Sequence, residues 1–174
     1  MAVDPLYGSS ADTLARHVQF DFGPIILQMN GTLFRKRSFP SFDTADADRC
    51  TSAVRFLADY ALHFVHGRHV GGVLPRLPFF DDSSDLVLGA HLRFTCLQWI
   101  DSEWQVAVSR ELARVSAGGV RIHPVWGADG KPYPKLAVLR KKLRAGGIES
   151  GVIRMDYEFF IGSRSTLVFN KGSS

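Results

Sequence analysis

Two cysteines in 174 residues, Cys50 and Cys96, stand far apart inside otherwise periodic segments. They do not make a disulfide framework, and they read as two thiols in a reducing compartment. Long apolar runs are missing as well: nothing approaches the roughly 20 residues of a membrane span. The opening residues do not read as a signal peptide, so a cytoplasmic location without membrane attachment is the expectation. Charge of one sign is only modestly in excess, with 21 Lys and Arg against 17 Asp and Glu, a formal +4 and a pI near 9.3. The basic residues are spread along the chain apart from "RKRS" at Arg35 and "RKKLR" at Arg140–Arg144. That distribution names no partner, and nucleic acid is not expected as one. The absence of any internal repeat or low-complexity segment excludes solenoids and compositionally biased tails.

What is present is an ordinary globular composition, 45% hydrophobic and 22% charged, which supports one compact domain over residues 1–174. A few strand-like residues come first, then Asp4-Pro5, then "ADTLARHVQF" with helical spacing up to Gly23-Pro24. A loop follows, and a longer helix carries the apolar stripe Val54, Leu57, Tyr60, Ala61 and Phe64 and ends near Gly67. A short strand starts at about His69. "DLVLGA", Asp85–Ala90, is apolar at nearly every position, as strands buried on both faces of a parallel sheet are. Ser102 and Gln105 form a capping box for the helix "SEWQVAVSRELARVS", which turns Trp104, Val108, Leu112 and Val115 inward and stops at Ala117-Gly118-Gly119. "VRIHPV" is the next strand, "KLAVLRKKLRAGG" the last helix. "VIRMDYEFF" and "STLVFNK" lie too close together for a parallel crossover, so they form an antiparallel hairpin.

Alternating helices and strands with a closing hairpin, together with three short motifs, resemble the class I S-adenosylmethionine-dependent methyltransferases. "VDPLYG" is similar to the end of that family's second strand, "LPFFDDSSDLVLGAH" to its passage into strand four, and "ELARVSAGG" to its passage into strand five. The resemblance implies an α/β fold: a Rossmann-like methyltransferase sheet, mostly parallel, with a C-terminal antiparallel hairpin. It also implies S-adenosylmethionine as cofactor and a small-molecule acceptor. The sequence departs from the family where a glycine-rich loop should follow the first strand. By the resemblance Met1 falls inside the second strand, so the central first strand and the glycine loop are expected upstream of it. Without that strand two sheet edges are left open, which makes a homo-oligomer through those edges, or an inactive remnant or interaction module needing a partner chain, the alternative expectation.

The same resemblance implies the site residues. Asp4 stands where a carboxylate meets the cofactor ribose, its other reading being a turn aspartate before Pro5. Leu77, Asp81 and Asp82 belong to the motif before strand four and are expected at the cofactor, with a solvated turn as the alternative for the two aspartates. His91, just after that strand, is the catalytic candidate, or else a hydrogen-bonded strand-end residue. Asp129 and Tyr133, in the loop after strand five, are expected to shape the acceptor pocket. The polar loop before strand four and His91 after it are both expected on the ligand rim at the carboxyl ends of the strands. His63, His66 and His69 have partial helical spacing but no carboxylate or cysteine beside them, so no metal is expected.

Overall fold

The structure is a computed structural model that describes residues 1–5, 7–8, 42–90, 94, 100–127, 131–157 and 162–170. These fall into two compact units, Met1–Val73 and Leu74–Ser174. In the first, β1 (Ala2–Asp4) pairs in parallel with β2 (His69–Gly71), and α1 (Phe42–Val65) precedes β2 in the chain. The α1 stripe is partly as expected: Leu57 and Tyr60 are half-buried, Val54 is exposed, and the side chain of Ala61 lies outside the description. Tyr60 anchors an aromatic group, with Tyr7, Phe64 and His69 rings at 5.5, 5.4 and 5.1 Å from its own. The chain turns out of α1 at Gly67, whose φ of 67° is a left-handed conformation that costs glycine little. The helix expected over "ADTLARHVQF" lies outside the described residues.

The second unit is a four-stranded sheet of order β3-β4-β6-β5, with β3 (Ser84–Ala90), β4 (Ser116–His123), β5 (Glu149–Arg154) and β6 (Ser165–Asn170). β3 and β4 are parallel, with Val87 opposite Val120 and Ala90 opposite His123. β6 is antiparallel to both β4 and β5. The hairpin is therefore present, with β6 placed between β4 and β5. The helices α2 (Ser102–Val115) and α3 (Leu136–Ala145) connect these strands. Val108 and Leu112 of α2 and Leu139 and Leu143 of α3 bury against Val120, Ile122, Leu167 and Phe169 of the sheet, forming the core. Truncating one such leucine to alanine costs on the order of 2–5 kcal/mol.

Two boundaries and the burial of one strand differ from those read in the sequence. Asp101, not Ser102, caps α2: its carboxylate accepts from the Trp104 N–H at 2.7 Å. "SAGG" belongs to β4 and not to a turn, because Ser116 pairs directly with Ser84 and its hydroxyl closes a local bond to the Gly119 N–H at 2.9 Å. A Cβ on Gly118 would collide with the Asp85 carbonyl oxygen, so glycine there permits close strand approach and not a break. Finally, β3 is covered on one face only: Val87 packs on the core, while Leu86 and Leu88 are 47% and 72% exposed. Among the described residues β3 pairs only with β4, which makes it an edge strand. Among the same residues no helix is long and apolar enough to cross a membrane.

Candidate functional site

Parallel strands bring their carboxyl ends together, and the loops that leave those ends are where a sheet of this kind holds ligands. In the Leu74–Ser174 unit that end is marked by the Ala90–His123 pair. The His123 imidazole meets the Thr166 hydroxyl, Nδ1 to Oγ1 at 3.0 Å, and lies 5.8 Å from the Tyr157 ring. Thr166 is buried, so the hydroxyl comes from a fixed strand position and orients the imidazole. Beyond His123 the chain folds back on itself: Trp126 bridges Pro132, and the Gly127 N–H donates to the Lys131 carbonyl at 2.7 Å. Tyr133, expected to line an acceptor pocket, is buried in the core, with its ring 5.0 Å from that of Phe94 and its N–H on the Val125 carbonyl. His91 and Asp129 lie outside the described residues.

The loop of Leu77, Asp81 and Asp82 lies at the other end of the strands. It precedes β3, whose seven residues at about 3.3 Å each separate the loop from Ala90 by about 20 Å. The loop and the carboxyl end of β3 at Ala90 therefore do not share one rim. The loop is instead fastened to α2. Glu111 accepts from the Leu77 N–H at 2.7 Å and from Arg114 Nε and Nη2 at 2.8 and 2.7 Å. Arg114 reaches on to Asp81 at 2.7 Å and to the carbonyl of Phe79 at 2.9 Å, and its own carbonyl takes the Asp82 N–H at 2.9 Å. Hydrogen bonding from Arg114 holds the Glu111 carboxyl below its ordinary value, against the opposing effect of burial, and the two carboxylates push the guanidinium pKa up. Asp82 has φ 55°, a left-handed conformation that aspartate accepts more readily than most residues. Asp81 and Asp82 thus serve the geometry of the turn.

Asp4, the last residue of β1, does stand at a carboxyl end, opposite Gly71 of β2. Its carbonyl accepts from the N–H groups of Tyr7 at 3.2 Å and Gly72 at 3.3 Å, which fixes the turn after the strand. Burial first, then the charge of Asp4, raises the pKa of the Tyr7 phenol. The Leu77 N–H and Asp81 are already engaged by α2. The three histidines do not converge in a way their spacing suggests: His63 Nε2 pairs with Asp59 at 2.9 Å, while the His69 ring sits among Tyr7, Phe56 and Tyr60. No group of three metal-ligating side chains occurs among the described residues.

Sequence reasoning passed over two features. His123 precedes a proline at a strand end, the same signal that drew attention to His91. Glu111 and Arg114 have the i,i+3 spacing of a helical ion pair. No protein-family model matches the chain, and no curated protein matches it. Among solved structures the chain is similar to the crystal structure of a SAM dependent methyltransferase from Aquifex aeolicus, at 13% identity and a TM-score of 0.37, over 92% of this chain and 96% of that one. At that TM-score the likeness does not establish a shared fold.

Proposed function

We propose that the chain is a methyltransferase-like domain that moves a methyl group from S-adenosylmethionine to a small-molecule acceptor. The observation that carries this reading is the strand arrangement: two parallel pairs, β1-β2 and β3-β4, with a C-terminal antiparallel hairpin added beyond β4. The resemblance implies parallel strands with a C-terminal antiparallel hairpin. The cofactor supplies a sulfonium-bound methyl that an acceptor nucleophile displaces directly. The chain's own part is to bind and align. By the resemblance Asp4 is assigned to the ribose hydroxyls, His91 is the catalytic candidate and Asp129 is assigned to the acceptor, the last two lying outside the described residues. The Glu111–Arg114 cluster acts only by fixing the approach to β3. Titration calorimetry with S-adenosylhomocysteine tests the reading: saturable heat that is lost in Asp4→Ala is the expected result. Heat unchanged by Asp4→Ala removes Asp4 from the site.

One observation favours a second reading, a non-catalytic module completed by another chain. The described strands form two separate sheets, and β1 and β3 each pair on one side only. Complete absence of heat with S-adenosylhomocysteine, in a chain that melts cooperatively, selects this second reading over the first.

A further inference from the structure

The two outer strands of the four-stranded sheet are built differently. β5 carries charges at both ends, Glu149 and Arg154, and Glu149 is ion-paired to Arg144 at 3.0 Å. Charged edges of this sort discourage strand addition. β3 has neither lysine nor proline, and its one charge is Asp85. Its large exposed apolar side chains are Leu86 and Leu88, on the face opposite the core, with Leu88 beside Arg121 of β4. From Leu86 to Leu88 the strand reads Leu-Val-Leu, which is the same in both directions.

We propose that β3 is an interface at which a second copy of this chain adds its own β3, antiparallel, about a two-fold axis at Val87. In that register Leu86 lies opposite Leu88 of the other copy, twice over, and the four leucines form one apolar stripe across the joint. The two Val87 side chains lie on the core-facing side, in line with the existing core. Asp85 falls opposite Gly89, so no like charges meet. A parallel arrangement of the same edges sets Asp85 beside its own copy, which is unfavourable in a directly paired position, and puts the leucines on opposite faces. Charge and apolar pattern therefore select the antiparallel pairing. The two-fold uses each β3 edge once and closes, giving a dimer and not a fibre. The inference rests on the same open edge of β3 that favours the second reading, and not on methyl transfer.

The area of one strand edge is small beside the roughly 1,200 Å² of a standard stable interface, so the dimer is expected to dissociate in the micromolar range. Sedimentation of the full chain should show a mass rising with concentration from one chain toward two. Leu88→Lys, at a side chain exposed enough to spare the fold, should weaken the association at least about tenfold. Val152→Lys on the opposite edge should leave it unchanged. A wild-type chain that stays monomeric throughout, or a dimer that survives Leu88→Lys, overturns the proposal. Amide exchange of unmutated chain gives a second readout, with protection of residues 85–90 that grows with concentration. Protection independent of concentration would mean that another part of the same chain covers β3, and would equally overturn it.

Discussion

Replacing Glu111 with alanine strikes the point where the loop before β3 is held. The carboxylate is 12% exposed and receives three hydrogen bonds, one from the Leu77 N–H and two from Arg114. Without it the part-buried Leu77 N–H has no acceptor, and an orphaned donor of that kind costs about 1–3 kcal/mol. The ion pair with Arg114 adds less, because its guanidinium is one-third exposed and water replaces much of the lost attraction. We expect a total of about 2 kcal/mol, which for a unit of about 100 residues lowers the melting temperature by about 10 °C. Glu111→Gln keeps an oxygen for Leu77 and should lose less. The pH dependence has a defined sign. The unfolded chain protonates Glu111 near 4.5, whereas the folded chain resists protonation to lower pH. The stabilisation is therefore complete above about 4.5 and drains away as pH falls through the lower folded value. Thermal melts of wild type and Glu111→Gln from neutral to acid pH should converge in that window. A Glu111→Ala variant within about 0.5 kcal/mol of wild type at neutral pH, or a gap that widens in acid, refutes the argument.

Two further outcomes follow from local geometry. Gly118→Ala drives a methyl into the Asp85 carbonyl and should destabilise by about 1–3 kcal/mol, measured by urea unfolding, whereas alanine at Gly147 meets no neighbouring atom and is strained only through its φ of 80°. The Tyr7 phenol is held neutral above its ordinary 10.0 by burial and by Asp4; because the unfolded chain ionises it at that value, stability falls as pH rises beyond 10, and Tyr7→Phe should remove that part of the fall in alkaline melts.

Strong periodicity made the helices legible. Val108, Leu112 and Val115 repeat on one side of α2 and are buried as their spacing requires. The hairpin was legible too, since the short link between its strands leaves no room for a crossover. What the sequence hid was context. Residues 85–90 are apolar enough for a strand buried on both faces, yet Leu88 stands 72% exposed, because an apolar run states what a strand can bury and not what is there to cover it. Gly118-Gly119 looks like a helix stop, but Gly118 serves a close strand contact whose partner, Asp85, is more than 30 residues away. At the candidate site, Asp4 could be placed at a strand end from its motif alone. The ion pair that holds Asp81 to Arg114, on a helix 33 residues further along the chain, could not be read from its motif. Tyr133 carries a polar atom that suggested a rim, and its ring belongs to the core.

β6 occupies an interior position in its sheet although it follows the other three strands in the chain. During synthesis β3 and β4 can pair once the chain has been made through His123, but β5 then has no strand to join. Among the described residues its only partner is β6, and β6 in turn is what links it to β4. Half of the sheet therefore waits for Ser165–Asn170, and in the interval β4 presents an open edge to the ribosome's surroundings. Any nascent chain stalled before those residues exposes both sides of the β3-β4 pair at once. The exposure of β4 ends when Phe169 pairs with Val120, while among the described residues the outer edge of β3 stays open in the finished sheet.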